Sequence, residues 1–352
     1  MSVAVRPSQF WRRVRHAVSS PQTRQVRFAR HGAMVERAEM LVMAFYAVSL
    51  MKLYVYATEY GRFTGDLAAL DPMWPVLWID LVSPVLALDL LEGASLAAGL
   101  AGVAFWQWRW ARVAVSVMIL QKMGFELSFG AIHHGYHEWF WISVMLCFLP
   151  SGRRPEAGVA KRAWGVSLLT VVTLCAGMIL MFYTMSGVWK VLHATAQLLL
   201  GNFGGFSPEA MAVTVAKRAV ETLAEPLLIE PLMWAPSAGW PLYLTLYYVE
   251  IFAVVALFRP ELIRPFAMVL IFFHVGTLTL MDIPFADHVM INALFMWFLP
   301  TAVERPRARA VIAALPLIGA LAALVESVLR WARPGAGAGA RGASVGEGTP
   351  AE

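Results

Sequence analysis

Lys190 ends a long uncharged run in the stretch FYTMSGVWKVLHATAQ, and His193 follows one helical turn later. An amine held away from water favours its neutral form, and a neutral lysine can act as a general base. The alternative is an interfacial anchor, in which the Lys190 ammonium extends to the membrane surface beside Trp189. The residue types at this position therefore predict either proton abstraction or anchoring.

Other ionisable side chains fall inside apolar segments, where each costs at least ~2.5 kcal/mol on insertion scales unless it meets a partner or water. They are Lys52, Asp89, Glu92, Lys122, Glu126, Glu250 and His274. Lys122 and Glu126 have the i, i+4 spacing of a helical ion pair, which is the role predicted for both. For Asp89 and Glu92 we expect ion pairs with Lys52 or with an arginine of a neighbouring helix.

Three histidines, His133, His134 and His137, cluster in the stretch AIHHGYHEWFW. Histidine is a common zinc ligand, but neither a cysteine nor an HExxH pattern accompanies these residues. We therefore expect hydrogen-bonded histidines and predict no bound metal.

The composition indicates a membrane protein. Hydrophobic residues make up 59% of the chain and charged residues 14%, whereas a soluble domain carries roughly 25% charged residues. The net charge of +5 does not indicate a nucleic-acid partner, because Lys and Arg lie at the ends of the apolar runs, as the positive-inside rule produces. Cys147 and Cys175 lie within apolar runs and are expected to be packing residues.

The apolar runs predict an all-α, polytopic membrane bundle of eight or nine transmembrane helices. The predicted spans are 39–57, 81–105, 109–130, 138–149, 163–184, 241–258, 265–280, 285–299 and 308–329. Together they form a transmembrane domain, 36–331. The sequence leaves open whether the last helix crosses the membrane.

The distribution of Lys and Arg predicts the orientation. Residues 1–35 form a basic arm without the apolar core of a secretory signal, so we expect the arm to be retained on the cytoplasmic side of the plasma (inner) membrane. Residues 332–352 are rich in Gly and Ala and are predicted to be disordered. Arg330 and Arg333 violate the charge rule if the last helix spans; otherwise that helix does not cross.

In this orientation the segment 201–240 is an external loop. Ser207 as N-cap and Pro208 at the first helical position predict a helix in the stretch SPEAMAVTVAKRAVETLAE. Its mixed apolar and charged pattern is typical of an amphipathic helix on the outer membrane surface, where it would cover what lies beneath. The same orientation brings Lys190, the histidine cluster and His274 to one cavity in the outer half of the membrane.

The stretches YTMSGVWKVL, HHGYHEWFW and YYVEIFAVVALFRPELIRPFAMVLIFFHVGTL resemble the vitamin K-dependent gamma-carboxylase family, and more specifically its bacterial HTTM (horizontally transferred transmembrane) domain. A small-Gly-x-x-Lys element of that family is matched by Ser186, Gly187 and Lys190. A second element consists of a mid-membrane glutamate, a Pro and an Arg, and then a Phe-His pair. It is matched by Glu250, Pro260, Arg264, Phe273 and His274. The resemblance covers residues 36–299.

The resemblance implies that Lys190 deprotonates a reduced quinone of the vitamin K or menaquinone type, that His134 stabilises the oxygenated intermediate, and that His274 lies nearby. In the family, oxygenation of the quinol yields a base strong enough to remove a proton from the gamma carbon of glutamate, to which carbon dioxide adds. The implied cofactor-binding residues are Trp189, Tyr136, Glu250 and His133. The implied activity is that of a carbon–carbon bond-forming lyase in the outer leaflet.

The substrate is left open between a peptide and a small molecule. Carboxylases of clotting-factor precursors continue into a large extramembrane domain, whereas only a short segment follows Leu329 here. The expected partners are the lipid bilayer and a lipid-soluble quinone. The alternative function is non-enzymatic: a membrane scaffold, or a transporter whose buried charges line a path.

Overall fold

The computed structural model describes residues 21–60, 70–130, 136–223 and 225–331, and the regular elements in these ranges are all helical. For this part of the chain the all-α prediction is confirmed. The first part of the predicted basic arm, the predicted disordered tail, and both His133 and His134 lie outside the described residues.

The first five helices are α1 (Pro21–Tyr60), α2 (Pro84–Phe105), α3 (Arg109–Leu127), α4 (His137–Leu146) and α5 (Gly158–Leu199). The next six are α6 (Ala210–Thr222), α7 (Ile229–Trp234), α8 (Trp240–Phe252), α9 (Val255–Phe258), α10 (Pro260–Met281) and α11 (Ala286–Asn292). A π-helix, Ala293–Trp297, continues α11. The chain divides into two compact units after Val303, and the second unit contains α12 (Ala308–Ala314) and α13 (Ile318–Trp331).

Four helices among the described residues are long and apolar enough to cross a membrane, which makes the chain a helical membrane protein. They are His31–Val55, Val85–Phe105, Gly158–Leu199 and Pro260–Met281. The other predicted spans correspond to shorter, broken or more charged helices. For example, α4 has only 10 residues, and the predicted span 241–258 is interrupted between α8 and α9.

Two local predictions are wrong. The segment 308–329 is not one helix, because α12 and α13 meet at a bend of 106°. Ser207 is not an N-cap: α6 begins at Ala210, with Glu209 as its N-cap and no capping hydrogen bond from a side chain. Residues 207–209 form a bend and a turn before α6, so the helix starts after the proline rather than at it.

The centre of the first unit is an aromatic cluster that joins helices distant in sequence. The Phe45 ring stacks on Trp139 at 5.0 Å between centroids and meets Phe295 edge-on at 5.7 Å. The Trp139 Nε1–H donates a hydrogen bond of 3.1 Å to Ser49 Oγ. These contacts hold α1, α4 and the π-helix together and fix the frame that carries the polar side chains.

Arg112 connects the ends of two helices. Its side chain is fully buried, and its guanidinium donates hydrogen bonds to the carbonyl oxygens of Trp106, Gln107, Leu149 and Pro150. Because the C-terminal ends of helices leave carbonyls without intrahelical partners, Arg112 satisfies such groups after α2 and after α4. It is a structural cation.

Candidate functional site

The helix α5 presents Tyr183, Gly187 and Lys190 on one face, since residues at i, i+4 and i+7 lie above one another. At Gly187 the backbone of α8 comes very close. A Cβ atom there would lie 2.6 Å from the Ile251 nitrogen and 2.7 Å from Glu250 Cβ. Only glycine permits this approach, which explains the small-Gly-x-x-Lys pattern in physical terms.

The approach of α8 brings Lys190 to Glu250, although 60 positions separate them. Lys190 Nζ donates hydrogen bonds of 2.6 and 2.7 Å to the two carboxylate oxygens. The Glu250 side chain is 2% exposed and that of Lys190 35% exposed. The pair is therefore sealed on the carboxylate side and accessible on the amine side.

The accessible side of Lys190 faces a cavity of about 1100 Å³. Its walls come from α5, α6, α8 and α10, and they are largely apolar and aromatic. Prominent lining residues are Trp189, Leu246, Tyr247, Val269, Phe272 and Phe273. Polar groups on its α5 wall are Lys190, His193 and Gln197, and His193 and Gln197 are hydrogen-bonded at 3.0 Å.

The helix α6 closes one side of this cavity. Met211, Val213 and Val215 line the cavity, and Val215 packs in a small core with Ala212 and Leu232. This helix therefore forms part of the cavity wall.

His274 lies in a buried polar cluster behind the cavity wall. Its Nε2 forms a 2.5 Å hydrogen bond with the Tyr183 hydroxyl, and Asn292 Nδ2 donates to that hydroxyl at 2.7 Å. The ring of His288 lies 4.8 Å from that of His274. His274 is not among the lining residues, but Phe273 beside it is. Lys190 therefore lines the cavity, whereas His274 lies behind the Phe273 side of its wall.

The other predicted site residues lie in different surroundings. Trp189 lines the cavity, whereas Glu250 lies behind the lysine. Tyr136 is not among the cavity-lining residues; its hydroxyl accepts a hydrogen bond of 3.2 Å from Lys122 Nζ. His133 and His134 are outside the described residues, so their predicted roles are neither supported nor opposed.

A second polar region lies around Tyr136. Lys52 forms an ion pair with Asp287, and its Nζ lies 4.8 Å from the Tyr136 ring centre. Lys122 pairs with Glu126 at 3.1 Å, which confirms the predicted i, i+4 pair. The Lys52 and Lys122 side chains are 8% and 3% exposed, so both amines are closed off from ligands.

The predicted partners of Asp89 and Glu92 are wrong. Lys52 pairs with Asp287 instead, and both carboxylates are exposed on α2. Within the described ranges neither forms an ion pair.

Sequence reasoning missed Tyr183, Asn292 and His193 as members of the site. Tyr183 lies two turns before Lys190 on the same helix face, so helical periodicity was a usable signal. Asn292 is a polar residue in an apolar stretch, which is a weaker signal. No group of three His, Cys, Asp or Glu side chains in the described part of the chain is arranged to hold a metal ion.

Comparison of the chain with known protein families, with curated proteins and with solved structures gives no significant match.

Proposed function

We propose that the chain is a membrane enzyme in which Lys190 acts as a general base on a reduced quinone held in the cavity, with gamma-carboxylase-like chemistry on a peptide or small molecule. The observation that carries the proposal is the pairing of an accessible amine with a buried carboxylate at the wall of an apolar cavity. A base needs access to its substrate and a fixed geometry, and this arrangement provides both.

Glu250 positions the amine and takes part in proton movement. Both of its oxygens accept hydrogen bonds from Lys190 Nζ. Transfer of one proton from Nζ to a Glu250 oxygen leaves a neutral amine at the cavity wall. Nζ then accepts a proton from the bound ligand, which leaves the ligand as an anion, Nζ as an ammonium and Glu250 as the neutral carboxylic acid that holds the first proton.

The cavity residues fit a lipid-soluble quinone. The volume of about 1100 Å³ is just above the usual range of roughly 300–1,000 Å³ for ligand pockets, which leaves room for a ligand with a lipid tail. Trp189, Phe272 and Phe273 offer aromatic surfaces, while Lys190 and His193 offer polar contacts. A reduced quinone supplies an acidic hydroxyl group and two electrons for oxygen chemistry. In this proposal His134 stabilises the oxygenated product and His133 is a further member of the site, whereas Tyr136 and His274 do not line the cavity.

The proposal includes the finer membrane arrangement predicted from the sequence. The bundle has eight or nine transmembrane segments in the plasma membrane, with the N-terminus in the cytoplasm and α6 on the outer side. The short helices α4, α8 and α11 then cross as tilted or broken segments. The cavity lies in the outer leaflet, where a lipid-soluble ligand enters sideways from the bilayer.

A transporter or scaffold is the second candidate, and one observation favours it. The Lys52–Asp287 and Lys122–Glu126 pairs are buried, as expected for charges that serve folding or a transport path. A scaffold predicts no ligand in the cavity.

Quinone binding tests the proposal. Gly276 lines the cavity, and a Cβ there would meet nothing within 4 Å, so Gly276→Leu fills cavity space with little strain. The matched control is Gly93→Leu, because Gly93 also has open space around its Cβ but lies on the exposed face of α2.

Purified protein in lipid nanodiscs is titrated with a radiolabelled menaquinone analogue. We expect saturable binding by the wild type and by Gly93→Leu, and an affinity lower by roughly tenfold or more for Gly276→Leu. Binding that does not saturate, or that is equal in all three proteins, contradicts the proposal.

A further inference from the structure

The second unit contains two helices that are each too short to cross a bilayer. α12 has 7 residues and α13 has 14. At 1.5 Å per residue they are about 10 and 21 Å long, whereas the hydrocarbon core is about 30 Å thick. Together they are apolar enough for a span, but the bend of 106° turns the chain back.

The bend has local causes. Leu317 has a positive φ of 60°, and Pro316 precedes it without a backbone donor. A Cβ atom at Gly319 would lie 2.5 Å from the Ala313 carbonyl oxygen. The close contact of the two helices at the turn therefore requires glycine at this position.

The start of α12 lies close to the second half of α13, and charged residues are confined to the two ends of the hairpin. Arg309 in α12 forms a 3.1 Å ion pair with Glu326 in α13. Arg305 and Arg307 precede α12, and the sequence places further arginines at 330 and 333. The turn between the ends carries no charge. Prominent among the exposed apolar side chains of the turn and of α13 are Leu317, Leu321, Leu324, Val325, Val328 and Leu329.

We infer that residues 308–331 form a monotopic hairpin that enters one leaflet and returns to the same membrane face. The apolar turn is immersed in acyl chains, and the arginines that precede α12 contact anionic phospholipid headgroups. Residues 304 and 331 then lie on one side of the membrane. This placement removes the conflict with the positive-inside rule that a spanning helix creates, and it is independent of the proposed enzymatic function.

Two protease-sensitive epitope tags in the full-length protein test the topology. One tag is inserted between Glu304 and Arg305 and the other follows Glu352, each in a separate protein of otherwise native sequence. Protease is added to right-side-out and to inverted membrane vesicles, with detergent-treated vesicles as the control for cleavage. The inference predicts that both tags are cut from the same side. Cleavage from opposite sides overturns it.

The depth of the turn is tested by cysteine labelling. Leu317→Cys is treated with a membrane-impermeant maleimide in vesicles of both orientations, with the wild type as background for Cys147 and Cys175. Arg307→Cys is the matched control, because Arg307 is exposed just before α12. We expect Arg307→Cys to label in one orientation, and Leu317→Cys to label only after detergent. Labelling of Leu317→Cys in intact vesicles overturns the inference, because the turn then lies in water, as it would if a soluble protein were its partner.

Discussion

Four lysine–carboxylate pairs lie in the described part of the first unit. The Lys217–Glu221 pair is exposed, and the surroundings of the other three differ. In the Lys52–Asp287 and Lys122–Glu126 pairs the amine is sealed, with 8% and 3% of the side chain exposed. In the Lys190–Glu250 pair the carboxylate is sealed and the amine faces a cavity. A lysine–carboxylate pair therefore serves stability where its amine is buried. Where the amine faces a cavity, the pair is available for chemistry.

The largest effect on stability is expected at a sealed pair. Lys52→Met leaves the Asp287 carboxylate without its lysine, and we expect the free energy of unfolding to fall by about 3 kcal/mol. Unfolding in detergent is followed by tryptophan fluorescence. The control is Lys217→Met, whose side chain is 74% exposed and whose loss changes stability by less than about 0.5 kcal/mol. Equal effects of the two substitutions would show that the sealed Lys52–Asp287 pair contributes no more to stability than an exposed surface pair.

The next effect concerns the helix contact that positions the open pair. Gly187→Ala places a Cβ against backbone atoms of α8, so we expect a loss of about 1–3 kcal/mol from overpacking. The shift also separates Lys190 from Glu250. Gly93→Ala is the matched control, because its Cβ meets nothing within 4 Å and alanine favours a helix. An unchanged melting temperature for Gly187→Ala would show that α5 and α8 are farther apart than described.

A smaller effect is expected behind the cavity wall. Tyr183→Phe removes the hydroxyl that joins His274 to Asn292, which costs about 1–2 kcal/mol because two buried polar groups lose a partner. Tyr54→Phe serves as the control, since Tyr54 is exposed on α1. The same fluorescence measurement compares them. If both substitutions are neutral, the polar cluster contributes nothing to stability.

The smallest effect on stability is predicted for Lys190→Arg. A guanidinium can bind both Glu250 oxygens as a fork and remains charged, so the ion pair persists. We expect a change below about 1 kcal/mol, measured in the same unfolding experiment. A loss as large as that of Lys52→Met would place Lys190 among the sealed structural lysines.

The sequence predicted the helical fold well because a bilayer allows few alternatives. A spanning segment must satisfy its backbone hydrogen bonds internally, so apolar length alone predicts α1, α2, α5 and α10. The bend at Leu317 and the break after α8 depend on local backbone geometry, which hydropathy does not contain. The prediction of one continuous helix over 308–329 was wrong for this reason.

The sequence identified several residues of the site, but it did not predict the contacts between residues that are distant in the chain. Lys122 and Glu126 are neighbours on one helix, so spacing alone gave the correct pair. Lys190 and Glu250 were each singled out as ionisable residues in apolar sequence, but their contact depends on how α5 packs against α8. The partner of Lys52 was missed in the same way, because Asp287 lies on α11 and no local spacing connects the two residues.

The central claim is that Lys190 is a base and not an anchor. The most direct measurement is oxygen-dependent oxidation of a reduced menaquinone analogue by the purified protein in nanodiscs. For Lys190→Arg we predict unchanged quinone binding and a rate lower by about 100-fold or more, because arginine keeps the ion pair but cannot accept the proton. Lys217→Arg controls for the substitution itself and keeps the wild-type rate. A wild-type rate in Lys190→Arg would contradict the account and leave Lys190 as an anchor for Glu250 in a non-enzymatic membrane protein.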